Sequence, residues 1–225
     1  MKRAGRLVLG FVAVAATALD AQQSIAARLS GRASAEIVAL VQELGRSAAS
    51  QGLPVDPLIQ KAIEGNAKGV PAERVASAVR LVFAQLDTAA AALRSATHNS
   101  PADTVEIAAG GFAITAGLRG RDIAELARTG RPAADVTVGL RVAGTLAALG
   151  VPPAETVALV SASLRAGQAP GDLLALPGSV QSEMARGATP AQAAAGLARA
   201  AAAQARHGPP ADHGLPPHPP APPHP

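Results

Sequence analysis

"GVPAERV" (residues 69–75) decides how this chain is read, because near-copies of it recur at "SPADTV" (100–105), "GRPAADV" (130–136), "VPPAETV" (151–157) and "GATPAQA" (187–193). The copies align on a proline: Pro71, Pro101, Pro132, Pro153 and Pro190. Proline suits the first position of a helix, where its missing N–H has no intrahelical acceptor in any case. An acidic or amide residue soon after it meets the exposed amides and the positive end of the helix dipole. Each copy therefore predicts a helix start, with Ser100 and Thr189 as N-caps. Gly69, Gly130, Gly150, Gly167 and Gly187 stand where a preceding helix would end in a left-handed residue. Pro170 fits the same scheme with a weaker following pattern, Gly171-Asp172-Leu173.

Spacing turns this punctuation into architecture. Pro132 to Pro170 is 38 residues and Pro153 to Pro190 is 37, while consecutive starts fall 21, 17 and 20 apart. Two short helices per period is the measure of a helical-hairpin repeat, in which each pair buries its apolar stripe against its neighbours. The earlier chain fits loosely: Pro54 to Pro71 is 17 residues, but Pro71 to Pro101 is 30, which one long helix from about 71 to 97 fills.

Apolar spacing inside the segments is helical. Ile37, Leu40, Val41 and Leu44 follow an i, i+3, i+4, i+7 rule, as do Val75, Val79, Val82 and Leu86, and more loosely Val157, Leu159, Val160 and Leu164. No sustained alternation argues for a strand. Alanine has the highest helix propensity, and its small side chain lets helix axes approach closely. Gly110-Gly111 reads as a close helix crossing or a kink. The predicted fold is all-α, with stacked helical hairpins in an α-solenoid-like or irregular bundle arrangement.

Gly52-Leu-Pro-Val-Asp-Pro-Leu58, followed by Lys61-Ala-Ile-Glu-Gly65, together with the GVP segments, resembles the Ala-rich secreted bacterial proteins that carry repeated GLP- and GVP-started helices. The resemblance spans roughly residues 50–200 and implies a helical exported protein; it supplies no functional residues. The Trp, Tyr and Phe positions of tetratricopeptide repeats and the ankyrin T-P-L-H signature are missing.

The two ends differ from the middle. Lys2, Arg3 and Arg6 precede an uncharged 13-residue run, Leu7–Leu19, and Ala16-Thr17-Ala18 supplies a cleavage pattern, with Ala21 as a second site. This reads as a secretory signal peptide over 1–21. The run is short of the roughly 20 residues that span a bilayer, which points away from a retained anchor and from stable membrane insertion after processing. A periplasmic or extracellular bacterial protein from a GC-rich genome is the expected source, since 17 Arg stand against 3 Lys amid abundant Ala, Gly and Pro. Residues 208–225 hold nine prolines and one large apolar residue, Leu215, and predict a disordered tail with polyproline II bias. Between them, 22–207 is long enough for one domain with a core.

Composition narrows the chemistry. With no cysteine there is no disulfide, thiolate nucleophile or cysteine metal ligand. Cleavage after Ala21 lowers the formal charge from +4 to +2, and beyond that point the only aromatics are Phe83 and Phe112, so nucleic-acid binding is not expected. His98 is alone between two predicted helices; Glu73, Asp103 and Glu155 are explained by capping; Ser161 and Ser163 fall inside a helix. Gly117-Leu-Arg-Gly120 follows a helix and is too short for a nucleotide loop. Arg119, Arg121, Arg128 and Arg131 read as a solvated hairpin face. The concentrated group is imidazole: His207, His213, His218 and His224, at spacings of 6, 5 and 6, form a candidate Zn, Ni or Cu ligand set. The expected function is a non-catalytic interaction or scaffold role toward a protein partner, with no cofactor. Metal binding by the tail is the alternative, and an envelope hydrolase whose carboxylates do not pair in the sequence is the second.

Overall fold

The computed structural model of the protein describes residues 25–97 and 102–207, and every regular element among them is helical. A short helix, α1 (25–29), leads into α2 (Ala35–Ser50), α3 (Asp56–Ala67), α4 (Ala72–Ala96), α5 (Thr104–Thr115), α6 (Gly120–Ala127), α7 (Ala133–Ala148), α8 (Pro153–Arg165), α9 (Pro170–Ala185) and α10 (Pro190–His207). The expected signal peptide, the expected tail and His98 lie outside the described residues, as do Ser100 and Pro101; the helix expected to start there begins instead at Thr104, with Asp103 and not Ser100 as its N-cap.

The G-L-P and G-V-P strings work as helix stops, by a local mechanism. At the end of α2 the amide of Leu53 donates to the carbonyl of Ala48 (2.8 Å), bridging back over Gly52, whose φ is +70°. At the end of α7 Val151 donates to Leu146 (3.1 Å) over Gly150, φ +86°. This is the Schellman pattern: a left-handed residue that only glycine adopts cheaply, followed by an apolar residue that packs back on the helix. Leu53, Leu118 and Val151, the residues after the glycines, are accordingly buried. The five glycines expected to stop helices all have positive φ.

The starts are more varied than the alignment on proline predicts. Pro153, Pro170 and Pro190 open their helices, but Pro71 and Pro132 each stand one residue earlier, as the N-cap of α4 and α7. Either place exploits the missing N–H. Thr189 does cap α10: it accepts from the amide of Gln192 (3.2 Å), while the Gln192 side chain accepts from the amide of Thr189 (2.9 Å). α9 runs unbroken through Pro177.

The helices form two layers. α2, α4, α6, α8 and α10 pack in succession in one, and α5, α7 and α9 in the other, each helix also packing on its chain neighbour. Four or five residues connect consecutive helices, with seven between α4 and α5, and the chain reverses at each connection, so members of one layer run parallel. Gly110 lies beside Ala89 and Gly111 beside Leu86, as the antiparallel α4–α5 pair requires. The core between the layers is Leu, Ile, Val and Ala, including Leu93, Ile123, Leu140, Leu146 and Leu159. α4 is long and apolar enough to cross a membrane by composition, and it packs against α2, α3, α5 and α6.

Candidate apolar groove

Among the described residues the second layer has one break. α3 packs on α2 and α4, and α5 packs on α4, α6 and α7, but α3 and α5 do not pack against each other as α5 and α7 do. α4 is 25 residues long, against 16 or fewer for its predecessors and 18 at most for any other helix, so its middle lies uncovered between them.

The break is a groove. Its floor is Val82 and Leu86 of α4; one wall is Pro57, Gln60, Lys61 and Glu64 of α3, and the other is Ala108, Gly111, Phe112 and Thr115 of α5. This section encloses about 270 Å³. It continues through Pro57, Gln60 and Ala108 into a shallower section of about 540 Å³ lined by Leu53, Pro54, Val55, Asp56, Thr104 and Val105. Two of the few large apolar side chains left exposed lie here, Val105 at 48% and Phe112 at 47%. The Phe112 ring rests over Gly144 of α7: a Cβ on that glycine would stand 2.5 Å from Cε1. Gly111 has a comparable role on the other side, bringing the α5 backbone down onto Leu86.

The polar groups of the groove sit at its rim. Thr115 Oγ1 donates to the Gly111 carbonyl within α5 (2.9 Å) and lies 2.8 Å from the side-chain amide of Gln85, which ties α5 to α4. Lys61 Nζ donates to Glu64 Oε2 (2.8 Å) and Lys68 Nζ to Oε1. These two lysines, Lys61 first, hold the Glu64 carboxyl down at about 2. Two cations share one anion, so this rim is net positive. At the mouth Asp56 is paired with Arg28 of α1.

Elsewhere the residues singled out in the sequence do not converge. Glu73 is exposed in the first turn of α4, and Asp103 caps α5 by accepting from the amide of Val105 (3.1 Å). Ser161 and Ser163 are buried inside α8, their hydroxyls lacking partners among the described residues. The arginine cluster departs from a uniformly solvated face: Arg131 is two-thirds covered and bridges Asp135 (2.7 Å). His207 ends α10, and His213, His218 and His224 lie outside the described residues, so the four are not brought together by anything described. Among the described residues no three His, Asp or Glu are grouped to hold a metal ion.

Sequence reasoning missed Glu106. It is 5% exposed on α5, and its carboxyl is pushed above its ordinary value, first by burial and then by the neighbouring Asp103 carboxylate; a hydrogen bond from the Asp103 backbone opposes the shift. The spacing Asp103-x-x-Glu106 is that of a capping box, a legible signal for the hydrogen bond though not for the burial. Comparison with protein-family models, with curated proteins and with solved structures finds no match.

Proposed function

We propose that the protein is an exported, non-catalytic interaction protein that receives part of a partner protein in the groove between α3 and α5. The observation that carries this reading is the half-exposed pair Val105 and Phe112, on one wall of an apolar groove at the one break in an otherwise covered layer. Apolar side chains scattered singly over a surface need no partner; a lined concavity with aromatic and branched residues at its edge has the makeup of a docking site. Export is supported by the basic start, the 13-residue apolar run and the small-residue cleavage pattern at residues 1–21.

The test is site-directed photo-crosslinking in cells, with a benzophenone side chain at Val105 and, as control, at the exposed Arg199 of α10. A single product formed from position 105, absent from position 199 and lost on Phe112→Glu, supports the reading. Equal crosslinking from both positions, or product from position 199 alone, overturns it. N-terminal sequencing of the protein recovered from the cell envelope checks export: mature termini at Leu19 or Gln22 are expected, and an intact Met1 rejects processing.

A further inference from the structure

We propose that the proline-rich segment 208–225 of the same chain occupies the groove between α3 and α5. The inference rests on the reading of that groove as a docking surface, and it names an occupant.

Position comes first. Gln168, in the α8–α9 turn, donates from its side chain to Gln204 near the end of α10 (3.3 Å), so α8 and α10 end on the same face of the molecule. Arg131, in the α6–α7 turn, lies 3.7 Å from where a Cβ on Gly167 would be, which puts that turn on the same face. The even helices end there and the odd helices begin there. The groove opens there too: its shallow section is lined by the α2–α3 turn and by Thr104 and Val105 at the start of α5. The chain leaving His207 therefore emerges on the face that carries the mouth of the groove.

Length comes second. From α10 to α4, through α8 and α6, is three interhelical spacings, about 24–30 Å at 8–10 Å each. A polyproline II segment advances about 3.1 Å per residue, so crossing takes about 8–10 residues. Eighteen residues follow His207. The crossing brings Leu215 to Val105 at the mouth and leaves Pro216 to Pro223 for the deep section.

Chemistry comes third. A run such as Pro216-Pro217-His218-Pro219-Pro220 offers flat apolar rings and backbone carbonyls that accept hydrogen bonds, with few amides that donate. The groove is the complement. Phe112 and Pro57 offer apolar faces on opposite walls, and Gln60 and Lys61 on the α3 wall carry N–H groups able to donate. Extended proline-rich segments are held in this manner, on aromatic surfaces by a ligand already stiff when free.

The chain has no cysteine, so Ala221→Cys carries a single spin label on the protein comprising residues 22–225. Relaxation enhancement of backbone amides then reports where the tail lies. Broadening of Val105, Ala108 and Phe112, with Arg199 unaffected, removed by Phe112→Lys and unchanged on tenfold dilution, is the expected result. Broadening that fades on dilution assigns the tail to a second copy and overturns occupancy within one chain; broadening absent from the groove overturns the inference outright. A protein stopped at His207 to which the 208–225 peptide is added should show the same amide shifts only at about millimolar peptide, the effective concentration that tethering supplies. The docking reading fails separately: the stopped protein then gives no product from the benzophenone at Val105. If both readings hold, that product increases severalfold when the tail is removed.

Discussion

The two halves of this molecule use the same punctuation and reach different results. In α7–α10 each helix is 13–18 residues long, each stop is followed within four residues by a start, and both layers are continuous. In α3–α5 helices of 12 residues flank one of 25, and the layer above α4 is left open. The mismatch at α4, from Ala72 to Ala96 without one glycine or proline, separates α3 from α5 and leaves a concave surface between them.

Truncating a core leucine in each half tests that contrast with the largest expected effect. Leu140 of α7 and Leu86 of α4 are both buried, but Leu86 forms the groove floor. Leu140→Ala leaves an enclosed void and should cost about 4–5 kcal/mol, while Leu86→Ala deepens a space already open and should cost about 2–3 kcal/mol. Urea denaturation of both variants measures the difference. Equal losses would mean that the groove floor is as tightly enclosed as the regular core, and the contrast would fail.

Much of the regular half was legible in the sequence, because its signals are local. The positive-φ glycine, the apolar residue after it and the proline or polar cap after that act within six residues, as at Gly150-Val151-Pro152, and periodicity identified Val157, Val160 and Leu164 as core. The long α4 was equally visible as a stretch without a breaker. The groove was not legible, because it depends on which two helices fail to meet, and no spacing within α3 or α5 records that. Phe112 shows the difficulty. Its neighbours Gly110 and Gly111 pointed to a close crossing or a kink, yet the ring's own position over Gly144, 32 residues on, is a matter of tertiary placement. Nor could spacing reveal that Glu106 is covered, or that Pro71 and Pro132 sit outside their helices rather than in the first turn.

Helical glycines carry the same contrast between the halves at a smaller scale. A Cβ at Gly144 would stand 2.5 Å from the Phe112 ring and 3.2 Å from the α5 backbone at Ala113, whereas one at Gly196 of α10 meets nothing within 4 Å. Alanine gains about 1 kcal/mol of helix propensity over glycine, but overpacking costs about 1–3 kcal/mol. Gly144→Ala should therefore destabilise by about 1 kcal/mol, and Gly196→Ala should stabilise by about 0.5–1 kcal/mol. Thermal denaturation gives both signs. A stabilised Gly144→Ala protein would show that Phe112 is not fixed against α7 and that the groove wall adapts freely.

The smallest effect belongs to Glu106, at the start of the helix that forms one groove wall. Burial raises its carboxyl above the unfolded value of 4.5, so between those two values the folded chain holds a proton that the unfolded chain has released. Stability from this group is fully present below about 4.5, falls as pH rises through the folded value, and then levels off. Glutamine keeps the acceptor that meets the Asp103 amide and removes the titration. Glu106→Gln should therefore be the more stable protein at neutral pH, with the difference shrinking as pH falls toward 4.5. Glu64 supplies the opposite slope: its carboxyl is held at about 2 by Lys61 and Lys68, so whatever it contributes is lost only as pH falls from 4.5 toward 2. Denaturant midpoints for both proteins between pH 3 and 8 separate the two groups. A pH-independent difference would place the effect of Glu106→Gln in packing or capping alone and remove burial of the charge from the account of how α5 is held.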